Sequence, residues 1–188
     1  MLGSSFPELL LAAQAGDEQA FTVLWRDLQP AVLRYVRVAA PQAAEDLAAD
    51  TWVSVIRGLG RFRGDEQAFR AWVFTLARHR VIDWHRQAAR RPTQSVPIAL
   101  VADWQAPDDP VAAVLEAQST RAALALLAEL PADQAEVVAL RVLAGLEVAE
   151  VARIVGKQPG TVRVLAHRGL RQLANRLDAA GLARGVTG

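Results

Sequence analysis

Residues 61–91, RFRGDEQAFRAWVFTLARHRVIDWHRQAARR, hold eight arginines, three acids and five of the chain's eleven aromatic residues. Guanidinium groups interleaved with flat rings suit single-stranded nucleic acid, because cations follow the phosphates while rings stack on unpaired bases. A duplex reader needs the arginines but not the rings. Some of these rings must serve a core. Trp72 and Trp84 fall where a helix has to bury something, whereas Phe62, in GRFRGDE, sits in a Gly-flanked loop and is harder to explain as packing.

A second basic stretch lies near the other end, LEVAEVARIVGKQPGTVRVLAHRGLRQL at 146–173, and there are six bases and no acid between 153 and 176. Val148, Val151, Ala152 and Val155 share the inner face of a short helix that Gly156 stops. After GKQPG a second helix starts near Pro159 to Thr161, with Val162, Ala166, Gly169 and Leu173 on one side. Two short helices joined by a Gly-containing turn, the second one basic, describe a helix-turn-helix whose second helix enters the major groove. Ala166 and Gly169 are small, as close packing on the first of the two helices requires.

Other chemistries find little material. The chain has no cysteine, so it offers no thiolate ligand, thiol nucleophile or disulfide. His79 and His85 are six residues apart and do not share a helical face as a metal pair at four would, and His167 is remote. No phosphate-cradling loop and no nucleophile–base pair accompanies them, so neither an enzyme nor a metal or other cofactor is expected. No apolar run reaches the ~20 residues of a membrane span. The N-terminal MLGSSFPELL lacks the basic start and cleavage site of a secretory signal. The plain expectation is a cytoplasmic protein.

The elements that must position these groups follow from charge and periodicity. Residues 1–56 carry seven acids and three bases, 57–91 nine bases and three acids, 92–116 four acids and no base, and 117–188 nine bases and six acids. The formal net charge of +1 thus hides two basic islands with an acidic stretch between them, a distribution that points to polyanion contact at two places. RPTQSVPIALVADWQAPDDP, 91–110, breaks the helical texture with four prolines. It reads as a linker, 92–111, between an N-terminal domain at 5–91 and a C-terminal domain at 112–180.

Ala and Leu dominate and apolar residues recur at helical spacing. A first helix over 6–15 ends at Gly16, and Asp17 caps a second that Pro30 interrupts. AAEDLAADTWVSVIRGLG opens on acids and closes on Arg and Gly, the polarity a helix dipole favours. A long helix spans 67–88 with Phe69, Val73, Leu76, Ala77 and Trp84 on its core side. Helices near 111–129, from Pro131, and on either side of Gly156 complete an all-α chain of two domains.

Read together, AAEDLAADTWVSVIRGLGRFRGDEQAFRAWVFTLARHRVIDWHRQAARR resembles conserved region two of the extracytoplasmic-function sigma factors, and 131–173 resembles their region four. The resemblance covers nearly the whole chain in the family's order. It implies promoter recognition by bacterial RNA polymerase: region two binds the core enzyme and captures the melted minus-ten element, and region four reads the minus-thirty-five element as duplex.

Carried over by position, the polymerase-contacting helix falls on Asp46, Leu47, Asp50, Thr51, Trp52, Val53 and Arg57. The loop that holds an unstacked base corresponds to Gly60–Gln67, with Arg61, Phe62, Arg63 and Asp65 as contacts, and the next helix supplies Arg70, Arg78, His79 and Arg86. In region four the recognition positions are Gln158, Thr161, Arg163, Val164, His167, Arg168 and Arg171. The sequence departs from the family's pattern in three ways. His79 stands where many relatives carry Asn, Glu147 caps a helix where Ser or Thr is usual, and Val164 and Leu165 replace a polar pair. The resemblance also implies an anti-sigma factor as partner. The rival expectation is a helix-turn-helix regulator that binds duplex DNA without polymerase. The acidic helix and the aromatic loop argue against it.

Overall fold

The computed structural model describes residues 1–90 and 122–179, and all the regular structure among them is helical. In chain order the helices are α1 (Phe6–Gln14), α2 (Glu18–Ala39), α3 (Ala44–Leu59), α4 (Glu66–Arg90), α5 (122–128), α6 (Ala132–Val142), α7 (Val148–Val155) and α8 (Pro159–Ala179). The linker 92–111 lies outside the described residues, as does the start of the helix expected near 111.

Local chemistry sets most of the boundaries. The Asp17 carboxylate accepts from the Gln19 and Ala20 N–H groups at 2.8 and 3.0 Å, closing the first turn of α2. Gly156 takes φ +67°, a left-handed conformation that a side chain resists, and ends α7. The cap of α7 is stronger than Glu147 alone suggests. Glu150, three residues on, reaches back to accept the Glu147 N–H at 2.7 Å.

Pro30 does not interrupt α2, contrary to the sequence expectation; the helix runs through it to Ala39. A proline removes one backbone hydrogen bond and crowds the preceding turn, which costs about 3 kcal/mol in an isolated helix. Here Leu24, Leu28, Ala31, Val32, Tyr35 and Val36 are buried on both sides of it, and that packing outweighs the local cost.

Helices α1 to α4 enclose Leu24, Val32, Val36, Val55, Phe69, Val73 and Phe74, with Tyr35 and Phe74 in edge contact at 5.7 Å. Along α4 the burial is wider than one stripe. Ala71, Phe74 and Val81 are buried besides Phe69, Val73 and Ala77, while Leu76 and Trp84 are only partly so. The reason is tertiary: α2 and α3 cover one side of α4 and α7 covers another.

In the C-terminal half Val137, Val138, Ala139 and Leu140 of α6 sit at the centre, with Val151 and Val155 of α7 and Val162 of α8 against them. Gly169 does allow a close approach, but to α6 rather than α7. A Cβ there would lie 2.7 Å from Val138 Cγ2. The halves also meet. α6 lies on α2 and α7 on α4, and the buried residues of both halves form one apolar cluster.

Candidate nucleic-acid and polymerase interfaces

The turn between α3 and α4 is held from three sides. Gln14, at the end of α1, donates through Nε2 to the Leu59 and Phe62 carbonyls, both at 2.9 Å. Asp65 caps α4 by accepting the Ala68 N–H at 2.7 Å. Gly64 has φ +153°, and a Cβ on it would meet Ala68 Cβ at 2.9 Å and the Phe62 ring at 3.1 Å, so no larger residue fits. Sequence reasoning missed Gln14, because nothing in a lone Gln at a helix end announces a contact 45 residues away.

Phe62 has the packing partner its loop setting did not reveal. Its ring stacks on Trp72 at 5.1 Å and 27° and meets Phe69 edge-on at 5.3 Å, half-buried in a cluster that Phe6 completes. Trp72 reaches it because α3 approaches at Gly58, where a Cβ would come within 2.7 Å of the indole. One face of the Phe62–Trp72 stack is therefore built into the fold, and both rings keep some exposure. Arg61, Arg63 and Asp65 around it are exposed. Arg63 turns back to donate to the Gly60 and Phe62 carbonyls at 3.0 and 2.6 Å.

The DNA-contacting residues predicted on α4 divide. His79 and Arg86 are exposed, His79 beside an open groove of about 370 Å³ that also touches Trp72, Glu150 and Arg153. Arg86 lies 3.6 Å from Asp83 of its own helix at the surface, whereas Arg70 and Arg78 are held by acids of other helices. Arg70 is 8 % exposed and pairs with Asp27 at 2.9 Å, and Arg78 pairs with Glu136 of α6 at 2.8 Å. Tyr35, 1 % exposed, points its hydroxyl at the same Glu136 carboxylate, 3.4 Å away. Burial, and secondarily the Glu136 charge, push the Tyr35 phenol far above its ordinary range.

On α3 the predicted residues also divide. Asp46, Asp50, Val53 and Arg57 are exposed on one face with Ile56 beside them. Leu47, Thr51 and Trp52 are buried. Thr51 donates to the Leu47 carbonyl at 2.7 Å, and Trp52 Nε1 donates to Gln29 at 2.5 Å. As folded here, these three hold the helix to the bundle and the other four face solvent.

The recognition positions behave uniformly. Gln158, Thr161, Arg163, Val164, His167, Arg168 and Arg171 are all exposed along one end of α8. Among the described residues none of Arg163, His167, Arg168 and Arg171 makes an ion pair. Lys157 and Arg176, at the margins, pair with Asp133 and Glu129. Val164 is 48 % exposed, while its neighbour Leu165 packs against the core.

Residues 24–91 match the family model for Sigma-70 region 2, and residues 120–173 match Sigma-70, region 4. SigD of Mycobacterium tuberculosis, an ECF RNA polymerase sigma factor, is 34 % identical over 190 residues, covering 96 % of this chain and 88 % of its own. This chain belongs to the ECF sigma factors. BldN of Streptomyces coelicolor, another member, is 37 % identical over 172 residues, 90 % of this chain and 65 % of BldN.

Among solved structures, the sigma factor RpoE of Bartonella quintana, in complex with the anti-sigma factor NepR, has a TM-score of 0.65 at 25 % identity. It covers 84 % of this chain and 96 % of that one. As an ECF sigma factor the protein directs RNA polymerase to promoters. A regulator reading that used only the helix-turn-helix would leave the region 2 match unexplained.

Proposed function

We propose that this sigma factor works through three separate surfaces. The exposed face of α3, with Asp46, Asp50, Val53 and Arg57, docks on the core enzyme. The loop and helix around Phe62, Arg61, Arg63, His79 and Arg86, with Arg70 and Arg78 on an adjoining face, hold the melted minus-ten element. The end of α8, from Gln158 to Arg171, reads the minus-thirty-five element in the major groove.

The protein acts without catalysing a reaction, in the cytoplasm where polymerase and promoters meet. An anti-sigma factor is its expected antagonist, a reading supported by the RpoE–NepR complex.

The observation that carries this is the row of exposed side chains on α8 with three arginines, Arg163, Arg168 and Arg171, that no acid among the described residues neutralises. A protein does not leave such a row for stability, since like charges on one face repel. It fits a polyanion.

Run-off transcription with core polymerase on genomic fragments, followed by start-site mapping, tests the whole reading. Arg163→Ala should then lower promoter affinity by roughly 1–3 kcal/mol and relax preference at one upstream base pair. A mutant weakened equally on every duplex would make Arg163 a phosphate contact. An inert mutant would remove α8 from the upstream element.

A further inference from the structure

We propose that residues 2–14 form a brace fastened at both ends of the base-capturing loop, with Glu66 and Gly3 as positioning residues for promoter opening. The proposal rests on the reading of Phe62 as the ring that receives an unstacked base.

Leu2 lies in the right-handed region, φ −86° and ψ −17°, and Gly3 in the left-handed one, φ +58°. That succession aims two consecutive N–H groups the same way and makes a small concavity for an anion. The carboxylate of Glu66, the first residue of α4, fills it. Leu2 N–H donates to Oε1 at 2.6 Å and Gly3 N–H to Oε2 at 2.9 Å. At the far end of α1, Gln14 ties down the Leu59 and Phe62 carbonyls. One short element thus grips the backbone before and after its bend. Between the two ties Phe6, 2 % exposed, lies 5.6 Å from Phe69, the ring that meets Phe62 edge-on. Leu10 and Ala13 are buried along the same helix.

Glu66 is not needed to cap α4, since Asp65 already accepts the Ala68 N–H. A free carboxylate beside Arg61 and Arg63 would also repel a DNA backbone. Spreading its charge over two N–H donors answers that objection and anchors the strap at once. The loop needs the anchor because Gly60 and Gly64 give it freedom that must be lost before Phe62 can hold a base. A loop ordered beforehand does not have to be ordered at the moment of capture.

Two variants separate the brace from simple support of α4. Glu66→Asp keeps a charge at the helix N-terminus but is one methylene too short to span both amides. Gly3→Val opposes the left-handed conformation at a position where an added Cβ meets nothing within 4 Å, so it acts on the concavity without a clash. In the holoenzyme each should slow isomerisation to the open complex about ten-fold, within the worth of one base stack. Core binding and closed-complex affinity should not change. Deuterium uptake by the amides of 60–65 in the free protein should rise in both. The double variant should open no more slowly than either single one, because both cut the same tie. Glu8→Gln, an exposed acid on α1, should behave as the wild type.

Unchanged uptake in both variants overturns the brace. Slowing that multiplies in the double variant overturns the shared tie between Glu66 and Gly3. Raised uptake with normal opening overturns the positioning role, and Phe62→Ala then locates the failure. If Phe62→Ala also opens promoters normally, base capture at Phe62 is wrong. If it opens them slowly, base capture stands and only the brace is condemned.

Discussion

Gln14 spends both amide hydrogens on carbonyls of the α3–α4 turn, and no other side chain of α1 touches that loop by hydrogen bond among the described residues. Losing both would cost about 0.5–1.5 kcal/mol per bond and would leave the Phe62 backbone free to shift. Gln14→Leu is therefore expected to fold, bind core polymerase normally and open linear promoters more slowly, with permanganate reactivity of start-site thymines as the readout. A pre-melted bubble template should restore transcription, because the loop is then asked to hold a base and no longer to extract one. Equal loss on both templates would show that Gln14 supports the domain as a whole. Phe62 itself is a harder test than its sequence setting promises. Its stack on Trp72 depends on Gly58, four residues away in a different helix, and no pattern in GRFRGDE discloses that approach. Arg78 is similar. The spacing of α4 revealed a basic face, but the acid that meets it is 58 residues further along the chain.

Along α3, Asp46, Asp50, Val53 and Arg57 recur at four, three and four, so one helical face gathers them while Leu47, Thr51 and Trp52 turn inward. The periodicity was legible in the sequence; the split between contact and support follows only from packing against α2 and α4. Asp46→Arg with Asp50→Arg should weaken pull-down of core polymerase at least ten-fold, about 1.4 kcal/mol, without loss of helicity. Undiminished binding would discard the α3 surface. Trp52→Ala should behave differently, destabilising the domain by about 3–5 kcal/mol as large core truncations do. Pro30 and Gly169 mark the limits of element-level reading. A breaker rule failed at Pro30 because the buried face continued past it, and a correct size rule at Gly169 named the wrong neighbouring helix.

At the scale of the molecule, the joint between the halves can be read by its response to alkali. The chain has one tyrosine, one lysine (Lys157) and no cysteine, and arginine stays charged to very high pH. Tyr35 is sealed at the joint, where burial and the Glu136 carboxylate oppose its ionisation. In the unfolded chain a phenol ionises near pH 10. A group whose folded pKa is raised contributes its stability in full below the unfolded value and loses it as pH rises beyond. Unfolding free energy should hold steady up to about pH 10 and then fall by about 1.4 kcal/mol per pH unit. Lys157, at the surface beside Asp133, adds little. Tyr35→Phe should flatten that limb while changing stability at neutral pH by less than about 1 kcal/mol, since the bond to Glu136 is long. Urea melts at several pH values for both proteins make the comparison. A wild-type limb as flat as that of Tyr35→Phe would mean that the phenol reaches water in solution, and then the two domains do not stay closed over it.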